Sequence, residues 1–237
     1  MKSSKQNRPK WFVIPKWILR IFIRRPAFVF AGRTFEEVGE PFILLSNHVG
    51  AGAPLRYELC LDVPFRFWGT HEMLAGTRSV YHYLADIYLL KKKHFPAFFA
   101  KTAAFIICPF VSMFYQGLRM IPTYPDGRFR MTMKESIKII GNGENLIIFP
   151  EDSADGYHDE LTSFFSGFTA LAYMLKRRGT DVLLFCAYYR KKDHTVVVGE
   201  PARFSEIRKA HTDRNQIARM LCEQTNRLAD FRSCERR

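Results

Sequence analysis

The sequence lacks the short motifs that mark several common enzyme classes. It has no HExxH pair, no glycine-rich nucleotide loop and no GxSxG elbow, which excludes the simplest zinc-hydrolase, nucleotide-binding and serine-hydrolase readings. Its five cysteines (Cys60, Cys108, Cys186, Cys222 and Cys234) are odd in number and widely spaced. They form no CxxC pair and no metal spacing with histidine, so reduced thiols on the cytosolic side are expected, with no metal. Acidic residues are absent from Met1 to Thr34, a stretch that holds nine basic ones. The apolar run Ala103 to Tyr115 is only thirteen residues long and contains Pro109. It reads as too short to span a bilayer, which leaves a buried core helix or a shallow interfacial segment.

What is present fits one globular α/β domain behind a basic appendage. The chain has 237 residues, 47% of them hydrophobic and 25% charged, with a net charge of +13, a globular rather than a disordered composition. Much of the positive charge sits at the start, on Lys2, Lys5, Arg8, Lys10, Lys16, Arg20, Arg24, Arg25 and Arg33. A basic arm binds polyanions, either nucleic acid or an anionic membrane leaflet. Here the charges alternate with Trp11, Phe12, Ile14, Trp17, Ile18, Leu19, Ile21 and Phe22. Apolar area beside cations favours a helix lying in a membrane interface over an amphipathic helix packed on the domain or a nucleic-acid arm. Arg20, Arg24 and Arg25 interrupt the apolar stretch, so it does not read as a signal peptide. The expected division is a membrane-associating segment at 1–34 and an α/β domain at 35–237.

Along the domain, strands are expected at Pro41–Asn47, Phe65–Gly69, Leu118–Tyr124, Asn145–Phe149, Val182–Tyr188 and Thr195–Val198. Helices are expected from Leu55, over Arg78–Leu90, over Arg130–Ile140 with Gly141 as C-cap, over Phe165–Arg178, and through most of Ser205–Asp230. Strands alternating with helices predict an α/β fold, a mixed central sheet flanked by helices, with a site in the loops at strand ends.

Three strand exits carry chemistry-bearing residues: Ser46-Asn47-His48, Ile121-Pro122-Thr123-Tyr124 and Phe149-Pro150-Glu151-Asp152. Their order and spacing resemble the glycerolipid acyltransferases of the lysophosphatidate acyltransferase type. In that family an NHx4D block follows a buried strand, an I-P-V-x-R segment comes some seventy residues later, and an F-P-E-G block follows. Phe164-Phe165-Ser166-Gly167-Phe168 and Gly199-Glu200-Pro201 resemble two later segments, so the similarity runs from about Ile43 to Pro201. It implies acyl transfer from a thioester, acyl-CoA or acyl-carrier protein, to the hydroxyl of a lysophospholipid such as lysophosphatidate or a related lipid alcohol, with no cofactor.

Under that resemblance His48 acts as general base toward the acceptor hydroxyl. Asn47, Phe149, Pro150, Glu151 and Ser153 belong to the substrate-binding blocks. Backbone N–H groups at Gly50 and Gly52 lie where an oxyanion would develop, because glycine permits close approach. The chain departs from the pattern in three places. Ala53 stands where the family has aspartate; Arg128 is the nearest replacement for the second block's arginine; and Glu151-Asp152-Ser153-Ala154 carries no arginine. The acid that would orient His48 must then come from elsewhere, among Glu58, Asp62, Glu151, Asp152 and Asp155, with Asp152 the first choice. The missing arginines imply an acceptor whose phosphate is not in the usual place. His71, His82, His94, His158, His194 and His211 form no recognisable arrangement and read as structural or surface residues. The expected location is the cytoplasmic face of a membrane, held monotopically on an anionic surface, with no nucleic acid. Ala53 also supports an alternative, a catalytically silent lipid-binding member of the same scaffold.

Overall fold

Uninterrupted apolar runs make the middle of a sheet, because a strand covered on both faces has no reason to alternate. A computed structural model describes residues 8–50, 52–152, 156 and 158–231. In it the buried run β2 (Phe42–Ser46) lies between β5 (Asn145–Ile148) and β6 (Leu183–Arg190), parallel to both. β3 (Phe65–Thr70) joins β5 on its far side, and β4 (Ile121–Thr123) closes that edge; both pairings are parallel. On the other side β7 (Thr195–Val198) folds back antiparallel on β6 and pairs in parallel with β1 (Ala27–Phe30). The short β8 (Ala202–Arg203) also pairs with β6. The order β1-β7-β6-β2-β5-β3-β4 is the mixed sheet that the pattern predicts. Five parallel strands therefore deliver their C-terminal ends to one edge.

Side chains alternate across each strand, and the two faces build separate cores. Ile43, Leu45, Leu146, Ile148, Leu184 and Cys186 pack toward α6 (Phe129–Gly141), α7 (Gly167–Arg177), α8 (Phe204–Ala210) and α9 (Arg214–Arg227). Phe42, Leu44, Ile147, Phe185 and Ala187 face Phe12, Phe35 of α2 (Phe35–Val38), and Ala53 and Tyr57 of α3 (Gly52–Cys60). On that second face lie α1 (Val13–Phe22) and the long α5 (Ala97–Leu118), with α4 (Thr77–His82) and the wider π-wound turns Tyr83–Lys92 beside α5.

Four local expectations are corrected. α5 has 22 residues rather than thirteen, long and apolar enough to cross a bilayer by length and composition. It continues through Pro109, which cannot donate to the Phe105 carbonyl; the Cys108 thiol donates to that oxygen instead, at 3.6 Å. Leu118 ends this helix rather than starting β4. α6 runs through Gly141, and the left-handed residue that turns the chain is Gly143, φ +82°. Finally, β1 lies inside residues 1–34, so the sheet begins upstream of position 35.

The arm before β1 is tied down by buried charge. Glu58 on α3 is fully buried and accepts from Arg8 at 2.7 Å and from Lys16 at 3.1 Å. Arg8 also donates to the Leu118 carbonyl, and Arg20 to that of Leu59 at 2.8 Å. Burial lowers the Lys16 pKa more strongly than Glu58 raises it. Phe12 packs on Phe114 and fills the space where a side chain on Gly117 would sit. Glu58 thus anchors the arm, a different task from orienting His48.

Candidate functional site

β2 ends in a polar pair that is fixed before the loop begins. Asn47 is buried, and its amide exchanges two hydrogen bonds with the backbone of Tyr189 on β6: Nδ2 donates to the carbonyl at 3.0 Å, and Oδ1 accepts from the N–H at 2.7 Å. Beside it, Ser46 Oγ meets the buried Tyr57 hydroxyl at 2.9 Å, and burial raises the Tyr57 pKa. Asn47 therefore acts as a clamp between β2 and β6 that aims the next residue.

That residue is His48. Its backbone N–H donates to Glu151 Oε2 at 2.9 Å, and its ring stands edge-on to Phe149 with centroids 4.9 Å apart. Nδ1 is shielded from solvent. The chain then reverses through two left-handed residues, Val49 (φ +46°) and Gly50 (φ +64°). A β-branched residue in that region is strained, the kind of cost found where a structure must hold one side chain in place. Gly52 N–H closes the turn on the Val49 carbonyl at 3.1 Å and starts α3.

Glu151 comes from the neighbouring exit, after β5. It forms a bridge with Phe164, while Pro150 accepts from Phe165 N–H at 2.7 Å and Asp152 donates its N–H to Ser163 at 3.2 Å. The expected pair of acids is thus at the expected edge, and the carboxylate seen to touch His48 is that of Glu151, through the backbone. Ser153 and Asp155 lie outside the described residues. Ala53, where an aspartate would sit in the resembled pattern, is fully buried in the second core.

Arg128 takes a different course. It is exposed, forms a bidentate pair with Asp126 at 2.8 to 3.1 Å and lies 4.6 Å from the Tyr124 ring centre. Those hydrogen bonds hold the Asp126 carboxyl down at about 2. Its charge is neutralised within its own loop.

His48 opens on a cavity of about 770 Å³, within the range of small-molecule sites. Gly50, Phe67, Phe149 and Met120 line it near the strand ends; Ile14 and Ile18 of α1 and Ile107, Phe110 and Phe114 of α5 line it farther out. The lining is almost wholly apolar.

No family model matches the chain, and no curated protein matches it in sequence. One solved structure to which it is similar is the crystal structure of the 1-acyl-sn-glycerophosphate (LPA) acyltransferase PlsC from Thermotoga maritima. The identity is 14%, the TM-score is 0.47, and the match covers 88% of this chain and 74% of that one. The function has to be read from the site itself.

Sequence reasoning located His48, Asn47, Phe149 and Glu151 at one edge of the sheet. It missed the walls of the cavity, whose residues come from α1 and α5 and share no motif. It also passed over Tyr189 and Arg56 and read His194 as structural or surface; the three meet beyond the His48 turn, where only the pairing of β2 with β6 brings them.

Proposed function

We propose that this chain is a membrane-surface acyltransferase that moves a fatty acyl group from a thioester to the hydroxyl of a lysolipid. The observation that carries this reading is the position of His48, fixed on a strained turn at the mouth of an apolar cavity of about 770 Å³. An acyl chain is an apolar ligand, and such a cavity removes it from water. His48 takes the acceptor's hydroxyl proton as its oxygen bonds to the thioester carbonyl carbon; the C–S bond then breaks and the sulfur leaves with that proton, returned from His48, as the free thiol. Gly50 keeps the backbone free of side chains where the oxyanion forms. Glu151 and Asn47 position His48 through its backbone and through β6, while Asp152 remains the proposed second acid of the edge.

The same reading gives the exposed helices a task. α1 exposes Val13, Ile14, Trp17, Ile18, Ile21 and Phe22, of which Ile14 and Ile18 reach the cavity rim, and α5 exposes Phe98, Phe99, Phe105 and Phe110. A basic arm beside that apolar face suits an anionic leaflet, held from the cytoplasmic side without crossing it.

His48→Ala should abolish transfer from radiolabelled acyl thioester to lysolipid on membranes while the fold is retained; full activity in that variant rules out the base assignment. The buried Ala53 favours a second reading, a lipid-binding protein without catalysis. Liposome flotation by the wild type, with no transfer to any acceptor, would select it.

A further inference from the structure

On the β6 side of the His48 turn a half-buried cation lies where no acid among the described residues meets it. Arg56, on α3, folds back so that Nη1 donates to the Gly52 carbonyl at 3.0 Å, while its guanidinium stacks on the Tyr189 ring with its centre 4.9 Å away. Nη2 stands 3.4 Å from His194 Nδ1, which also meets the Tyr189 hydroxyl at 3.0 Å. Nε is shielded from solvent and has no hydrogen-bond partner among the described residues. Asp193, next to His194 in the chain, is paired with Arg190 at 2.8 Å, and no ion pair joins Arg56 to any described acid.

Three physical points agree. A guanidinium withdrawn from water without an anion is costly, and an orphaned donor inside a protein calls for a ligand or ion to explain it. The 3.4 Å approach of a guanidinium to an imidazole is a poor contact that an anion bridging the two would improve. His194 holds φ +55°, a conformation that non-glycine residues adopt rarely and mostly for a reason. Lys191 and Lys192 sit exposed on the same turn and add positive potential.

We propose that Arg56 and His194 bind a phosphate group next to the His48 turn. The site is close to the reacting edge, since Asn47 is clamped to the backbone of the very Tyr189 on which Arg56 stacks. It is also separate from the chain cavity, which none of Arg56, Tyr189 and His194 lines. Planar guanidinium donors match phosphate oxygens well. After β4, Arg128 is already neutralised by Asp126. The proposed phosphate site therefore lies on the β6 side of β2 and not beside Arg128. Resting on the acyltransferase reading, the phosphate is one borne by the thioester donor or by the lysolipid headgroup.

Calorimetric titration of the full chain with coenzyme A, pantetheine, glycerol 3-phosphate and glycerol tests the site and names the source. A phosphate compound should bind and its phosphate-free counterpart should not; coenzyme A alone points to the donor, glycerol 3-phosphate alone to the acceptor. Arg56→Gln should weaken that binding by about tenfold or more, as expected for a lost charge-assisted hydrogen bond. His194→Asn, which tolerates the left-handed backbone, should weaken it by less. No binding of either phosphate by the wild type, or unchanged affinity in Arg56→Gln, overturns the proposal. If Arg56→Gln does not fold, unchanged affinity in His194→Asn overturns it instead. Phosphate binding that depends on Arg56, with no acyl transfer from any thioester, keeps the site and removes the reaction. Intact transfer with Arg56-independent phosphate binding does the reverse.

Discussion

The two faces of the sheet are covered in different ways. On one, α6, α7, α8 and α9 turn their apolar residues inward, as Phe168, Leu171, Ala172 and Leu175 do on α7. This is the ordinary solution for a helix between a core and water. On the other, α5 buries only 22% of its most apolar stretch, and α1 buries none of its residues completely. Both keep large side chains facing outward while also lining the cavity. A contiguous exposed apolar face of this kind marks an interaction surface, and on the proposed function its neighbour is lipid. A common sheet thus carries one face under inward-turned amphipathic helices and another under helices with exposed apolar side chains, with the site at the edge they share.

A matched pair of phenylalanines sharpens this contrast most. Phe168→Ala, at a fully buried position, should cost about 3–5 kcal/mol of stability. Phe105→Ala, where the ring is 73% exposed, should change stability by no more than about 0.5 kcal/mol. Urea unfolding of both measures the difference. The exposed variant should instead float less with liposomes, and equal losses of stability would break the comparison.

Glu58→Gln comes next, because it removes the carboxylate that Arg8 and Lys16 share inside the protein. Loss of one partner of a buried ion pair costs about 3 kcal/mol, and here that cost falls on the seating of the arm. Trypsin should cut at Lys16 and Arg20 faster than in the wild type, with the rest of the domain still protected. An unchanged digestion pattern would show that Phe12 and its neighbours hold the arm without the charge.

The smallest effect concerns charge alone. Arg24 and Arg25 are exposed beyond the end of α1. Replacing both with glutamine should weaken binding to vesicles with anionic lipid by about 1 kcal/mol per residue, leave binding to neutral vesicles unchanged, and show less difference at high salt. Flotation on the two vesicle types reads it out.

The site was legible where its signal is local. Pro41–Asn47 reads as a buried strand running into His48 because the residues are contiguous, and the structure places β2 there. Glu151 was also found, as part of a short block after a strand; its bond to the His48 backbone was not, because that bond joins residues 103 positions apart. α5 was read as thirteen residues because Thr102 and Gln116 bound the apolar run and Pro109 breaks it, whereas a helix passes a proline when another donor serves the freed carbonyl.

By itself the sequence determined the alternation of strands and helices, the apolar runs of the central sheet, the basic aromatic arm and the block around Asn47-His48, since each depends on propensity and pattern within a few residues. Tertiary structure alone decided which face each helix covers, that Glu58 holds the arm, that Arg128 is neutralised while Arg56 faces no described acid, and that His48 opens on a cavity walled by α1 and α5. Those outcomes depend on strand order. The sheet places β6 and β5 on either side of β2, and so fixes which side chains surround His48.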